Sequence, residues 1–382
     1  MSRFLFLPLG AHGHINPTLA VAATLVDRGH EVVYLQRESF RPQIEATGAR
    51  LVPIPGEPPT SGSTADADMF GQLLERVISF AEDAATPLRT LHTEFPADLV
   101  VTEQVAVWGA LHASATGIPR VQLSPTYVFD GTQQGPPVAA DRAATLLRRL
   151  GGIGRNYGLP DVDPTTLMQW SGPTIAFLPP QFQPETARQN RSVTFVGPSL
   201  GRPEHVGTFR LPAGGAVFVS LGTVFHAQPE FFAACVTALG SGDRPVVVSH
   251  GGSAADLPDV PATVTLAAHV PQLAVLDRCA AFVTHGGMNS TMEAIAAGVP
   301  MVVVPQMFEQ EVTAERVAEL GLGVHLSPAD VTPDALAAAV ATVLDDPRYR
   351  ERVAVLGADA RAAGGAVAAA DLLEKAVSEA GR

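Results

Sequence analysis

Ala281-Phe282-Val283-Thr284-His285-Gly286-Gly287-Met288-Asn289-Ser290-Thr291-Met292-Glu293 decides the fold of this chain. A short apolar run passes through two glycines into a helical pattern that Gly298 closes, so the segment reads as strand, glycine loop and helix. The glycines let backbone approach a ligand closely, Asn289 and Ser290 carry hydrogen-bond donors, and the helix start offers free N–H groups and a positive dipole end. Together these make a diphosphate cradle that needs neither lysine nor metal. His285 can donate to the same diphosphate, and Glu293, about one turn into the helix, can accept from ribose hydroxyls. The plainer alternative is a tight strand-to-helix turn whose histidine packs internally.

Upstream, His269-Val270-Pro271-Gln272 follows a strand at 264–266, where a nucleobase lies if the diphosphate sits at Ser290. Downstream, Val303-Val304-Pro305-Gln306-Met307-Phe308-Glu309-Gln310 ends the next strand. Glu309 and Gln310 then stand side by side at the carboxyl end of a parallel strand, where open α/β sheets bind ligands, and an adjacent carboxylate and amide suit a polyhydroxylated sugar. Apolar runs at 216–220, 246–249, 264–266, 282–284 and 301–304, with helical stretches between them, imply one parallel sheet. Runs at 4–7, 32–35, 51–54 and 99–101, with a helix at 17–27, imply another. That helix takes Asn16 as N-cap, Pro17 as its first residue and Gly29 just past its end. Between the halves, Gly197-Pro198-Ser199-Leu200-Gly201-Arg202-Pro203 reads as a linker and places the boundary near residue 205. The domains expected are 1–205 and 206–382, with the last helix free to pack back on the first domain. Residues 55–75 and 129–170 read as irregular insertions, either variable walls of a binding cleft or plain surface loops, with Tyr157 and Trp170 among their apolar groups.

With 382 residues, 46% hydrophobic and 16% charged, the chain has apolar material for two cores. A net charge of -13 without any basic run excludes a general nucleic-acid binder. Lys375 is the one lysine, which argues against Schiff-base or P-loop chemistry. Cys235 and Cys279 have neither a CxxC neighbour nor a histidine at metal-ligand spacing, so they read as core thiols in a reducing compartment. The first apolar run is broken by Pro8 and is too short for a signal or a membrane span, so a cytoplasmic protein without integral membrane association is expected.

In Gly10-Ala11-His12-Gly13-His14-Ile15-Asn16-Pro17 the first strand gives way to a glycine-containing loop before a helix. The spacing is not GxGxxG, which makes a dinucleotide cofactor a poor reading. A histidine at the lip of the sheet suits a general base, because its ordinary pKa of about 6.5 lies near working pH. His12 and His14 both qualify on these grounds.

The stretch from His269 to Gln310 resembles the nucleotide-sugar signature of family 1 inverting glycosyltransferases, and Glu311-Val312-Thr313-Ala314-Glu315-Arg316-Val317 is similar to the bacterial macrolide-type subgroup. Residues 7–17, Phe195-Val196-Gly197-Pro198-Ser199-Leu200-Gly201 and Ser220-Leu221-Gly222-Thr223 look like the same subgroup, so the resemblance spans nearly the whole chain. It implies the GT-B fold, an α/β architecture of two Rossmann-like, doubly wound parallel-sheet domains facing across a cleft, acceptor on the first and donor on the second. It implies diphosphate roles for Thr223, His285, Gly287, Asn289 and Ser290, a ribose role for Glu293, base contacts near Val270 and Gln272, and sugar contacts at Glu309 and Gln310. The Gly-His-x-x-Pro pattern assigns the base to His14 rather than His12. The carboxylate behind it falls on Glu103, where relatives usually have Asp, and Trp108 matches a tryptophan found in many plant relatives. His269 stands where many relatives carry a tryptophan that stacks on uracil.

The implied activity is inverting transfer of a hexose, glucose from UDP-glucose, to a hydroxyl of a small lipophilic natural product: a macrolide, a flavonoid, or another phenolic or polyketide. No cofactor or metal is expected beyond the UDP-sugar or TDP-sugar donor, and the expected state is a monomer or homodimer. The alternatives are a TDP-deoxysugar transferase of antibiotic biosynthesis, a catalytically silent sugar-nucleotide-binding partner protein, and a GT-B epimerase acting on the donor itself.

Overall fold

Strands dominated by continuous apolar runs, such as Phe4 to Leu7, Ala216 to Val219 and Val246 to Val248, have no polar face to turn to water, so they end up in parallel sheets covered on both sides. The computed structural model describes residues 1–54, 69–128, 140–163, 172–201, 209–222, 228–252 and 260–381. The chain divides into two compact units, Met1–Leu200 with Ala363–Arg382, and Gly201–Ala362. The boundary expected near residue 205 lies outside the described residues.

The first unit runs β1 (Arg3–Leu7), α1 (His12–Asp27), β2 (Glu31–Gln36), α2 (Arg41–Glu45), β3 (Arg50–Pro53), α3 (Met69–Glu94), β4 (Leu99–Thr102), α4 (Val107–Thr116), β5 (Arg120–Ser124), α5 (Ala140–Gly152), β6 (Thr174–Ala176), α6 (Glu185–Arg188) and β7 (Val193–Phe195). Its strands are parallel, in the order β3-β2-β1-β4-β5-β6-β7. The order reverses beside β1. Leu7 pairs with Thr102, so the chain leaves β1 and β4 side by side at the same level.

The second unit runs β8 (Ala216–Ser220), α7 (Pro229–Leu239), β9 (Val246–Ser249), β10 (Val264–Ala267), α8 (Gln272–Leu276), β11 (Cys279–Thr284), α9 (Met288–Ala297), β12 (Met301–Val303), α10 (Phe308–Glu319), β13 (Gly323–His325), α11 (Pro333–Asp345) and α12 (Pro347–Ala362). Its order is β10-β9-β8-β11-β12-β13, also parallel, and it reverses between β8 and β11, where Ser220 pairs with Thr284. In each unit the strand ends at the reversal open a crevice, the usual ligand position of a doubly wound sheet.

Three expectations are corrected. The first long helix begins at His12 with Ala11 as N-cap, and Pro17 lies inside it. The loop itself coils into the opening turn, with both His14 N and Ile15 N donating to Ala11 O at 3.0 Å. Pro17, in the second turn of the helix, has no N–H to donate to the Gly13 carbonyl four residues back. Second, in the stretches expected to be irregular the described residues 69–75 lie in α3 and 140–157 in α5 and a 3-10 turn over Ile153–Tyr157, while 55–68, 129–139 and 164–170, Trp170 among them, lie outside the described residues. Third, Tyr157 is buried, its hydroxyl donating to Ala81 O at 2.6 Å, so it is core rather than cleft wall. Cys235 and Cys279 are buried free thiols, and burial pushes Cys279 up to about 12.

After α12 the chain breaks at residues 363–364 and α13 (Gly365–Ala380) returns to the first unit. Ala369, Ala370 and Leu373 enter the core with Phe4, Phe6, Ile15 and Val21. Around that apolar seam Arg28 pairs with Asp371 and Glu374 at 2.8 and 2.7 Å, and His30 Nε2 meets Glu374 Oε1 at 2.7 Å. By length and composition Pro347–Ala380 matches a membrane span, but it is two helices of 16 residues each, α12 packed on α9 and α13 on α1. Leu373→Ala is expected to destabilise the first unit by about 2–5 kcal/mol through transfer and cavity costs. Urea unfolding measures this, and an unchanged midpoint would show that α13 is dispensable.

Candidate active site

Glu103 is the first residue after β4 and is only 5% exposed. A buried carboxylate survives only if its oxygens are satisfied. One oxygen accepts the Leu9 backbone N–H, from the chain just leaving β1, and the other lies 2.7 Å from His14 Nδ1. Because an ionised carboxylate only accepts, this contact puts the His14 proton on Nδ1. The His14 side chain keeps 23% of its surface exposed. The glutamate side chain therefore reaches the ring while its other oxygen is held by the Leu9 amide. His12, two residues earlier, is exposed and packs edge-on against Phe40 at 5.1 Å. Trp108 is fully buried on α4 against Phe80, at 4.4 Å between ring centres.

In the second unit the β11–α9 turn is a tightly filled structure. Gly286 has φ +81°, and a Cβ there would lie 2.7 Å from Val303 Cγ1. Gly287 is the N-cap of α9 and provides no side-chain cap, so the helix start presents the positive end of its dipole without one. His285 is buried beneath this turn. Burial pushes its pKa down to about 4, with a backbone hydrogen bond to Ser220 acting in the opposite direction. Asn289 and Ser290 are half-buried in the first turn. Gln272, the first residue of α8, donates to Ser290 Oγ at 3.1 Å and to Glu293 Oε2 at 2.6 Å. Those three residues, expected to serve base, phosphate and ribose, are thus one hydrogen-bonded group. Val270 is half-buried beside them in sequence and His269 is exposed.

Glu309 and Gln310 do not end a strand. Pro305, which has no N–H for the ladder, follows β12 by two residues, and the pair lies in the first turn of α10. Glu309 is half-buried. Gln310 is buried and its side-chain carbonyl accepts from Gln306 N at 2.8 Å. Gln306 is held in turn by donating to Val304 O at 2.9 Å and by accepting from Gln228 Nε2 at 2.5 Å. Thr223 lies outside the described residues.

Sequence reasoning did not find the Leu9 amide, Gln306 or Gln228. A backbone donor leaves no trace in residue identity, and Gln228 and Gln306 are 78 positions apart. It also missed His250, buried just after β9, whose ring accepts from Gly252 N at 3.2 Å.

Residues 4–140 match the Glycosyltransferase family 28 N-terminal domain, and residues 233–373 match the Erythromycin biosynthesis protein CIII-like C-terminal domain. The NDP-glycosyltransferase YjiC of Bacillus licheniformis is 35% identical over 97% of this chain and 96% of its own length. The demethyllactenocin mycarosyltransferase of Streptomyces fradiae is 33% identical over 100% of this chain and 87% of its own length. Among solved structures, the glycotransferase of kitacinnamycin superposes with a TM-score of 0.85 at 32% identity, covering 98% of this chain and 99% of that one. The calicheamicin glycosyltransferase CalG4 gives 0.83 at 30% identity, covering 99% and 98%. This chain belongs to the family 1 GT-B glycosyltransferases of the bacterial macrolide type. It is a glycosyltransferase with two Rossmann-like domains.

A Cβ on Gly287 would lie 2.4 Å from His285 Nε2. Gly287→Ala is therefore expected to cost about 1–3 kcal/mol by overpacking, seen as a lowered Tm together with weaker nucleoside diphosphate binding. Wild-type values for both would mean that the turn is not tightly filled.

Proposed function

We propose that this glycosyltransferase inverts the anomeric centre as it moves glucose from UDP-glucose to a hydroxyl of a small lipophilic natural product, with His14 as the catalytic base. The observation that carries the proposal is the 2.7 Å contact between His14 Nδ1 and a Glu103 carboxylate anchored on Leu9 N–H. In a single displacement, His14 Nε2 takes the acceptor proton as the oxygen attacks the anomeric carbon, and the nucleoside diphosphate leaves from the opposite face. Glu103 holds the tautomer and steadies the imidazolium that forms. Charge on the leaving diphosphate is met by the uncapped N-terminus of α9, an electrostatic device that needs no metal. Glu293, coupled to Gln272, takes the ribose hydroxyls, Val270 lies by the base, and Thr223 joins the phosphate contacts.

Glu309 and the amide nitrogen of Gln310 favour a fully hydroxylated hexose, because each sugar hydroxyl both donates and accepts. A second reading, a TDP-deoxysugar donor, is favoured by His269 at the position of the usual stacking tryptophan and by the mycarosyltransferase among the relatives. Mass analysis of products from flavonoids, macrolides and simple phenols, each offered UDP-glucose and a TDP-deoxysugar, separates the two. Absence of any glycoside across that panel would count against the reading.

His14→Ala and Glu103→Ala are expected to leave nucleotide affinity intact. Transfer should fall by roughly 100-fold or more in the first and by roughly 10-fold or more in the second, as general-base loss and loss of its orienting group require. An undiminished rate in His14→Ala rejects the assignment. Exhaustive treatment with a chelator is expected to leave the rate unchanged, and restoration of lost activity by a divalent metal would contradict the metal-free cradle.

A further inference from the structure

Two backbone groups fix the sense of a chain of three glutamines in the second unit. The Val304 carbonyl, which can only accept, takes the Gln306 Nε2 amide at 2.9 Å, so the Gln306 side-chain oxygen faces the other way. That oxygen accepts from Gln228 Nε2 at 2.5 Å. The Gln306 backbone N–H, which can only donate, meets the Gln310 side-chain carbonyl at 2.8 Å, so the end of Gln310 left for a ligand is its NH2 group. Gln310 is 6% exposed, and no described residue accepts from that nitrogen. Its Cβ lies 3.8 Å from where a Cβ on Gly286 would stand, which puts the side chain against the glycine turn. Gln228 occupies the N-cap position of α7, and Gln306 lies in the connection from β12 to α10. The strands behind these connections, β8 and β12, are the two neighbours of β11. Thr284, at the end of β11, pairs with Ser220 and with Val303, and its carbonyl accepts from Val304 N at 2.7 Å. The Gln228–Gln306 bond is therefore a tie between the connections on either side of the glycine turn.

Resting on the donor reading above, we propose that Gln228 and Gln306 are positioning residues for the sugar half of the donor: they hold the β12–α10 connection so that Gln310 presents its NH2 group to one hydroxyl oxygen of the transferred hexose. An amide held in that sense only donates, so it favours a hydroxyl and gives nothing to a deoxy carbon at the same place. When Gln228 stops donating, the half-buried Gln306 oxygen loses its donor, and a half-buried polar atom seeks another. Its side chain regains one only by turning away from the Val304 carbonyl, and the Gln306 N–H then no longer stays aligned with the Gln310 carbonyl. The diphosphate, placed at the start of α9, meets none of these three side chains. The tie thus acts on the sugar and not on the nucleotide.

The variant that tests this is Gln228→Met, which keeps the length of the side chain and removes its amide. Calorimetry of the full chain, without acceptor, measures UDP, UDP-glucose and the monodeoxy analogues of UDP-glucose. In Gln228→Met, UDP-glucose is expected to bind roughly 3- to 10-fold more weakly, the worth of one hydrogen bond, while UDP binds as it does to the wild type. The loss must vanish for the one monodeoxy analogue that lacks the hydroxyl Gln310 meets, because a cycle of protein and ligand changes isolates that contact. A loss shared equally by UDP and UDP-glucose, or by every monodeoxy analogue, means that the bond only braces the fold, and overturns the inference. Unchanged affinity for UDP-glucose overturns it as well and leaves the donor reading standing. If the wild-type protein binds neither UDP nor UDP-glucose, the donor reading fails and the inference with it. Should Gln228→Met not fold, Gln306→Met, which removes both side-chain bonds and keeps the backbone N–H, is put through the same series and judged by the same outcomes.

Discussion

In a parallel sheet every strand delivers its chain to the same edge, and where the strand order reverses the two outgoing segments diverge and leave a crevice between them. Both units of this protein bring a histidine turn to that reversal. In the first, Leu7 and Thr102 are paired, so Leu9 and Glu103 emerge as neighbours and the carboxylate can hold a backbone amide and an imidazole together. In the second, Ser220 and Thr284 are paired, so the carbonyl that holds His285 comes from the adjacent strand end.

Both histidines depend on burial, with opposite outcomes. His14 is partly exposed and backed by a buried carboxylate, which keeps a counter-charge behind the ring. Withdrawing a carboxylate from water costs several kcal/mol, which two charge-assisted hydrogen bonds of roughly 1.5–3 kcal/mol each can largely offset. His285 is buried against glycines and a strand end instead, and burial pushes its pKa down.

The polar side chains around the β11–α9 turn hold one another in place. Gln272 ties Ser290 to Glu293, and Gln306 ties Gln310 to the β12 strand end through Val304, which restricts their rotamers. The cost of that order is low tolerance at Gly286 and Gly287, where even a methyl group meets a side chain within 3 Å. On the opposite side of the chain's path, α13 closes the first unit's core with Leu373 and a ring of ion pairs to Arg28 and His30.

Much of this was legible in residue order, because the signals are local. Two-residue periodicity lost to continuous apolar runs marks buried parallel strands, and a strand followed by His-Gly-Gly and a helical pattern marks an anion-binding turn within a dozen residues. The short strands β6 and β7 and the helices within 69–75 and 140–152 were not legible, since segments of three residues or marginal helices take their conformation from what they pack against. Nor was the first helix's true start, because Asn16-Pro17 is a strong local cap signal that the preceding turn overrode. Sequence alone determined the class of the fold, the glycine cradle and the two histidine loops. Which oxygen of Glu103 meets His14, which amide anchors it, that Gln310 turns its carbonyl to the Gln306 amide, and that His285 is buried under the glycine turn are facts of tertiary structure. Each depends on atoms far apart along the chain, brought within 3 Å or so only when the sheets assemble, and hydrogen bonding and desolvation act at that range.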